Sequence, residues 1–400
     1  MHISRLALDH YRSWERCVLD LKPGVNILQG SNGLGKTNIV EAVEVLSTGS
    51  SHRTSSALPL IEQGFGSAVI RANVEDGENR HSYEATIVAR GANRARIDGG
   101  KSQYMRDLIG LVPSVSFTPE DQRLISADPA GRRNFINQAA SLLLPHYAQL
   151  LQQFTHVGKQ RAALLKQLSD DTTQSQYGQQ SILSGLEAWT GQFIDLGMQL
   201  TRARDKIIAR LATPFERMYE TLAGTGQQAA LDYEPSFDEV MLYDDSAAQI
   251  SLHFQRIYPG EVARGQNLIG PHRDDLDIRL NGMPAREFAS NGEMWTMALA
   301  LKMALYETVS AERGSKPIVI LDDVFAQLDE SRRGQILDFA YAQDQVLITV
   351  AAASDIPHAD ATTIDVASLR ERSAIDVSND LTAMMEQLAS ERATLRKGEH

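Results

Sequence analysis

The chain has 400 residues, with 39 Lys and Arg against 51 Asp and Glu, which gives a net charge of −12. Apolar residues make up 42% and charged residues 22%, values that exclude a mainly disordered protein, and the length predicts two or three domains. The acidic balance argues against a protein that coats nucleic acid through bulk charge. No run of 18 apolar residues suggests a membrane span, and the charged N-terminus lacks the apolar core of a signal peptide. With one cysteine, Cys17, we expect a cytoplasmic protein.

The predicted elements change character along the chain. The first hundred residues are rich in strand patterns, residues 120–225 are mainly helical, and strand and helix patterns alternate again after 275. The predicted strands are 2–8, 16–21, 25–29, antiparallel strands within 67–98, 275–280, 317–321 and 345–350. One helix is predicted directly after Lys36, and two more are predicted to pair antiparallel across a turn at 170–176. Two further helices are predicted, one that starts at Asn291 and one at 332–340.

Both chain ends are thus α/β in character, with a helical segment between them. We expect one domain assembled from residues 1–120 and 266–365, a helical insertion at 121–265 and a charged tail at 366–400.

A phosphate-binding loop is predicted directly after the strand 25–29. The segment matches G-x-x-x-x-G-K-[ST] without deviation, in the strand–loop–helix context that the motif requires. Glycines let backbone amides curl around a phosphate, and the helix N-terminus offers its positive dipole end. Lys36 is expected to reach the β- and γ-phosphates of a nucleotide and Thr37 to bind Mg²⁺. The predicted nucleotide-binding residues are Gly30, Ser31, Asn32, Gly33, Leu34, Gly35, Lys36, Thr37 and Asn38.

Two carboxylates follow the apolar strand 317–321. A buried parallel strand delivers its C-terminal end to the ligand crevice. We therefore assign Asp322 to the metal and Asp323 to the attacking water. Lys36 and Asp322 are 286 residues apart, a separation that indicates a large insertion inside an ATPase domain.

A third motif, Ser290-Asn-Gly292, starts the helix at Asn291. Ser290 is on its own a good N-cap, which is the purely structural interpretation. The order of phosphate loop, insertion, Ser-x-Gly helix, Asp-Asp strand and Leu328-Asp329 is, however, that of ABC-type ATPases. In those proteins the signature serine and glycine of one subunit meet the γ-phosphate held by the other.

Within that class the sequence resembles the RecF family of bacterial recombination mediators, which is related to SMC-type heads. The resemblance implies an α/β ABC-type P-loop head with a helical insertion, Asp329 in a D-loop and Thr349 as a γ-phosphate switch. Glu293 departs from the glutamine usual in the signature. The segments that carry the resemblance are 30–38 (GSNGLGKTN), 51–54 (SHRT), 117–121 (FTPED), 132–135 (RRNF), 270–275 (GPHRDD), 321–324 (LDDV) and 328–329 (LD).

The resemblance also implies a function. It indicates a slow, DNA-stimulated ATPase that uses ATP and Mg²⁺ and binds gapped or single-strand/double-strand junction DNA as an ATP-sandwiched homodimer. RecR and RecO are the implied partners, RecA loading the implied outcome, and no membrane is involved. Two alternatives remain: the ATPase subunit of an ABC transporter, and a structural tether of the SMC kind.

Several basic residues have two interpretations each. Arg12 is either a nucleotide contact or an arginine at a strand edge, and His52 and Arg53 are either phosphate contacts or part of a solvated loop. Arg132 and Arg133 are either DNA contacts or a solvated helix face. Residues 156–217 carry eight Lys or Arg against six acids, which favours DNA binding there weakly.

Overall fold

The structure, a computed structural model, describes residues 1–54, 56–170, 176–224, 226–327, 330–351 and 361–373. The chain divides into two compact units. We call Met1–Pro119 with Ser315–His400 the head unit, and Glu120–Gly314 the arm unit. Among the described residues, no helix combines the length and apolar character that a membrane crossing needs.

The secondary structure confirms the alternation of strand-rich and helical segments. The strands are β1 His2–Tyr11, β2 Trp14–Asp20, β3 Gly24–Gln29, β4 Ser67–Asp76, β5 Asn79–Val88, β6 Arg94–Ile97, β7 Gln103–Tyr104, β8 Ser114–Phe117, β9 Ala229–Glu234, β10 Asp275–Leu280, β11 Met283–Pro284, β12 Ile318–Asp322, β13 Gln345–Val350 and β14 Ala361–Asp365. The α-helices are α1 Lys36–Thr48, α2 Arg123–Ser126, α3 Pro129–Leu143, α4 Tyr147–Ser169, α5 Gln176–Ala223, α6 Glu239–Leu242, α7 Ser246–Arg264, α8 Ala285–Phe288, α9 Asn291–Arg313 and α10 Glu330–Tyr341.

A five-stranded parallel sheet forms the centre of the head unit, in the order β14-β3-β13-β12-β8. Every residue of β12 and β13 is buried, as their largely apolar sequences predict for strands covered on both faces. The register pairs Asp322 with Thr349, and β13 in turn pairs with β3. The sheet therefore brings the C-terminal ends of β3, β12 and β13 to one edge, although they lie far apart in the sequence.

A second sheet of the head unit has the order β2-β1-β4-β5-β6-β7, and its long strands pair antiparallel. Alternate residues of β1, among them Leu6 and Leu8, are fully buried. They join one hydrophobic core with Ile39 and Val43 of α1 and with the buried Cys17 of β2. The helix α1 is thereby fixed by packing, and its N-terminus lies at the loop that follows β3.

The arm unit is built around the long helix α5, which packs against α4 and α9. The predicted helical pair is confirmed, and most of its predicted turn lies outside the described residues. Buried ion pairs inside this unit include Arg161 with Glu261 and Arg204 with Asp274, each with a closest N–O distance of 2.6 Å, and Lys302 with Asp121 at 3.2 Å.

The predicted domain boundaries need a correction for residues 266–314. We expected this segment in the head, but it belongs to the arm unit. The reason is its pairing: β10 is hydrogen-bonded to β9 in a three-stranded sheet, and α9 packs along α5. The apolar pattern of the segment predicted its strand and helix correctly, but such a pattern does not specify the partner.

Candidate nucleotide-binding site

The loop at 30–35 connects β3 to α1, as its motif predicts. Gly35 has a φ of 93°, in the left-handed region that favours glycine. A Cβ atom there would lie 2.7 Å from Nε1 of Trp14, and this indole nitrogen donates a hydrogen bond to the Gly35 carbonyl at 3.1 Å. Close packing against Trp14 therefore requires glycine at position 35.

The Lys36 side chain is 7% exposed and turns back over the loop. Its Nζ donates to the carbonyl oxygens of Gly30 at 2.5 Å and Ser31 at 3.0 Å. Burial lowers the pKa of Lys36, and the charges of Asp323 and Asp322 act in the opposite direction. A cation at a helix N-terminus, held by a loop rich in backbone amides, is an arrangement suited to a phosphate.

Asp322 is the centre of a buried hydrogen-bond network. Its Oδ1 accepts from the hydroxyl of Thr37 at 3.0 Å and from the hydroxyl of Thr349 at 2.6 Å. Burial raises the pKa of Asp322, while these two hydrogen bonds and the charges of His52 and Arg53 oppose the rise. The network joins the first turn of α1 to β12 and β13, so three segments distant in sequence meet at one carboxylate.

Asp323 differs from its neighbour in both exposure and backbone conformation. Its side chain is exposed, and its φ of 54° is rare for a residue other than glycine. The backbone N–H of Asp323 donates to the hydroxyl of Thr349 at 3.0 Å, which holds this conformation in place. Such strained positions cluster at functional sites.

Glu41 on α1 was missed by the sequence analysis, yet it organises the basic residues beside the loop. Its side chain is fully buried, and its two oxygens accept from Arg12 at 2.8 and 2.5 Å. They also accept from Ser51 at 2.6 Å and from Arg53 at 3.2 Å, while Arg53 donates to Asn38 as well. The sequence does contain one signal for this role, an acidic residue within a mainly apolar helix. A carboxylate that becomes buried there requires cationic partners.

His52 is held in a similar way, with Nδ1 2.6 Å from the carboxylate of Glu44. The side chains of His52 and Arg53 therefore both bind acids of α1, and Arg53 is at the same time exposed to solvent. Arg12, which directly follows β1, is likewise paired with Glu41.

The predicted signature helix is α9, which begins at Asn291 with Ser290 as its N-cap. The Ser290 hydroxyl accepts from the backbone of Glu293 at 3.3 Å, and the Glu293 carboxylate accepts from the backbone of Ser290 at 2.8 Å. Gln227 donates to Glu293 at 3.0 Å, and the backbone hydrogen bond from Ser290 is the main reason that the pKa of Glu293 is lowered. The structural interpretation of Ser290 is confirmed, and Glu293 is directed back to the cap.

Arg132 requires a correction. Its guanidinium is buried and binds both carboxylate oxygens of Asp275, at 2.6 and 2.9 Å, which fits neither a solvated helix face nor a DNA contact. Arg133 is half-buried and donates to the backbone carbonyl of Asp274 at 2.9 Å. The Asp274 carboxylate binds Arg204. The 270–275 segment therefore braces the interior of the arm unit.

Two further residues of the predicted site are Asp329 of the D-loop and Gly292 of the signature. Asp329 and Leu328 lie outside the described residues. The carbonyl of Gly292 accepts from the hydroxyl of Thr296 at 3.0 Å inside α9.

Comparison with known proteins decides the family. The model of the RecF/RecN/SMC N terminal domain matches residues 2–372. A protein of Bifidobacterium adolescentis named DNA replication and repair protein RecF is 74% identical over 399 residues, covering 100% of this chain and 99% of the relative. The chain belongs to the RecF family. A second relative of the same name, from Bifidobacterium longum subsp. infantis, is 66% identical over 94% of this chain and 91% of its own length.

Solved structures support the same fold. A solved structure of the recombination mediator protein RecF with ATPrS, described as part of the RecFOR pathway, has a TM-score of 0.79. It is 24% identical and covers 91% of this chain and 96% of its own. The fold is therefore the α/β ABC-type head with a helical insertion, as expected of the RecF family.

Proposed function

We propose that the head unit binds ATP and hydrolyses it slowly. With ATP bound, the chain forms a homodimer that binds gapped or junction DNA. The observation that carries the proposal is the network joining Thr37, Asp322, Thr349 and Asp323 at the end of the phosphate loop. Membership of a family of DNA replication and repair proteins supports the DNA substrate. No observation favours a transporter subunit or a tether.

The residues fit ATP with Mg²⁺. The ammonium of Lys36 would exchange the carbonyls of Gly30 and Ser31 for β- and γ-phosphate oxygens, which form stronger charge-assisted hydrogen bonds. The Thr37 hydroxyl and the Asp322 carboxylate, 3.0 Å apart, are the hard oxygen donors that Mg²⁺ prefers, Asp322 acting through water. When bound, Mg²⁺ would neutralise charge on the phosphates.

Asp323 is the proposed general base. Its exposed carboxylate follows the metal-binding aspartate, and its backbone is held by Thr349, so a movement at Thr349 would be transmitted to Asp323. This makes Thr349 a candidate for the switch that senses the γ-phosphate. Orientation of water by a held carboxylate is a recognised contribution to phosphoryl transfer.

The second copy completes the proposed site through the N-terminus of its own α9. There the Ser290 hydroxyl, the Gly292 amide and the helix dipole would meet the γ-phosphate. The backbone N–H of Ser290 and the side chain of Gln227 already bind Glu293, which directs its charge into the cap. Asp329 is the proposed D-loop residue, and Arg12, His52 and Arg53 are proposed contacts to phosphate.

The remaining parts of the proposal rest on the family. RecR and RecO are the proposed partners, loading of RecA the proposed outcome, and the cytoplasm the proposed location. A solved protein with the same fold is described as the recombination mediator RecF of the RecFOR pathway.

A single comparison tests the proposal: ATP hydrolysis and DNA binding, with and without gapped DNA, for the unchanged chain, Lys36→Ala and Lys22→Ala. Lys22 is an exposed lysine and serves as the charge-matched control. We expect gapped DNA to stimulate hydrolysis in the unchanged chain and the control, and Lys36→Ala to lose ATP-dependent DNA binding. Binding by Lys36→Ala equal to that of the unchanged chain would show that ATP is not the switch.

A further inference from the structure

Residues 88–106 of the head unit form a local exception to the acidic charge of the chain. This segment, which we call the basic edge, contains five Arg or Lys residues and one Asp, while the whole chain has a net charge of −12. It includes β6 and β7, the last two strands of the antiparallel sheet. The basic residues are Arg90, Arg94, Arg96, Lys101 and Arg106.

The sheet geometry directs the charges of β6 away from the core. Ala95 is 1% exposed and packs inward, so Arg94 and Arg96, one residue to either side, lie on the opposite, exposed face. Arg96 lies 3.9 Å from Glu84 on the neighbouring strand. Within the described part of the chain, Arg90, Arg94 and Lys101 have no carboxylate within salt-bridge distance, and all three are exposed. Their charge is therefore not balanced by a neighbouring acid.

An exposed aromatic ring organises two of these cations. The guanidinium carbons of Arg94 and Arg106 lie 4.5 and 4.2 Å from the centroid of the Tyr104 ring. Two like charges are thus gathered on one side chain, although their mutual repulsion opposes this arrangement. Cation–π contacts limit the rotamers of both arginines. Arg106 also lies 4.0 Å from the carboxylate of Asp107, whereas the exposed guanidinium of Arg94 faces no carboxylate of the described residues and presents its N–H groups to an anion.

We infer that the basic edge is a DNA-binding surface that contacts backbone phosphates. The inference rests on the proposed function and adds the location of the DNA contact. Phosphate contacts account for most non-specific affinity for DNA, and arginine matches phosphate geometry. Because the two guanidinium groups occupy the Tyr104 ring, the ring serves to position cations and does not stack on a base. The alternative is that charge at a sheet edge only prevents edge-to-edge aggregation.

The experiment compares two charge-matched variants of the full chain with ATP and Mg²⁺ present. One is Arg90→Ala with Arg94→Ala and Lys101→Ala, and the other is Arg123→Ala with Arg256→Ala and Arg264→Ala on the arm unit. The second set is also exposed and lies outside the helical segment 156–217. The measurement is the affinity for a fluorescent gapped DNA over a series of salt concentrations.

We expect the basic-edge variant to lose affinity by about tenfold or more and its salt slope to become shallower by about 1 for each lost phosphate contact. The arm variant should bind as the unchanged chain does. Equal binding by the basic-edge variant and the unchanged chain would overturn this inference alone. Failure of the unchanged chain to bind DNA with ATP would overturn both it and the proposed function.

Substitution of Tyr104 distinguishes a DNA-binding role of the basic edge from a role that only prevents edge-to-edge aggregation. Tyr104→Phe keeps the ring and should bind DNA normally, whereas Tyr104→Ala releases both guanidinium groups and should weaken binding by about two- to fivefold. Both variants keep every charge, so protection of the edge predicts equal DNA affinity for the two. Equal affinity would contradict the ordering role of Tyr104.

Discussion

The hydroxyl of Thr349 donates to Asp322 Oδ1 at 2.6 Å and, in the same position, accepts the backbone N–H of Asp323 at 3.0 Å. One buried side chain on β13 thus bonds to both aspartates that follow β12. Because Thr37 of the phosphate-loop helix also binds Asp322, a displacement at any member would reach the others.

Replacement of Thr349 by valine tests this coupling. Valine keeps the shape but removes the hydroxyl, which leaves the Asp323 N–H without its acceptor and Asp322 with one donor fewer. We expect ATP hydrolysis to fall by an order of magnitude or more and the free energy of unfolding to fall by about 1–3 kcal/mol.

Thr363→Val on β14 is the matched control, because Thr363 is an exposed strand residue. Urea unfolding and steady-state hydrolysis measured side by side on both variants check the prediction. Normal hydrolysis by a well-folded Thr349→Val protein would remove Thr349 from the mechanism.

Glu41 is the second test, as the buried acceptor for Arg12 and Arg53. Glu41→Ala removes the partner of two cations, and breaking a buried pair is more costly than breaking an exposed one. Since both arginines reach solvent in part, we expect a loss of about 2–3 kcal/mol in unfolding free energy, together with weaker ATP binding.

Glu78→Ala, at an exposed turn position, is the control for this loss and should change stability little. Calorimetric melting and nucleotide titration measure the two effects. If Glu41→Ala melted at the temperature of the unchanged chain, the network around Arg12 and Arg53 would have no stabilising role.

The parts of the site that depend on a short continuous stretch of sequence could be predicted. The glycines, Lys36 and Thr37 occur in one continuous motif, and a run of apolar residues before Asp322 is sufficient to predict a buried parallel strand. Glu41 was missed because its partners, Arg12 and Arg53, come from separate segments that only the tertiary fold brings together.

The same reason explains the incorrect boundary at 266. The strand Asp275–Leu280 was predicted, but whether it joins the head sheet or pairs with Ala229–Glu234 depends on long-range packing. Arg132 was misread because a single sequence does not show whether an arginine lies on a solvated helix face or is buried against an acid distant in the sequence. In the fold, Arg132 is buried and binds Asp275.

The pH dependence of stability tests the environment of Asp322. Burial raises its folded-state pKa above the unfolded value, so ionisation of Asp322 lowers the stability of the folded chain as pH rises through the folded pKa. Asp322→Asn removes this cost while its amide oxygen still accepts from Thr37 and Thr349. Without nucleotide, the variant should exceed the unchanged chain in stability at pH 7.5, and this gain should shrink towards pH 5.

Urea unfolding of both proteins across this range gives the difference directly. With ATP and Mg²⁺, the same variant should lose hydrolysis, because the metal would lose its carboxylate. A stability difference that is independent of pH, or that grows as pH falls, would show that Asp322 is not destabilised by burial.

ATP is proposed to be held between two copies of the chain, and the solution mass of Asp323→Asn tests this shared site most directly. The substitution keeps the size of the side chain but removes the general base, so ATP should persist and favour the dimer by mass action. Ser290→Arg added to Asp323→Asn should block the contact, whereas Ser290→Thr, which keeps the hydroxyl and the cap, should not. Light scattering with ATP and Mg²⁺ should give twice the 44.1 kDa chain mass for Asp323→Asn and the single mass once Ser290→Arg is added. A monomeric Asp323→Asn protein with ATP bound, or equal dimerisation after Ser290→Arg, would contradict the shared site.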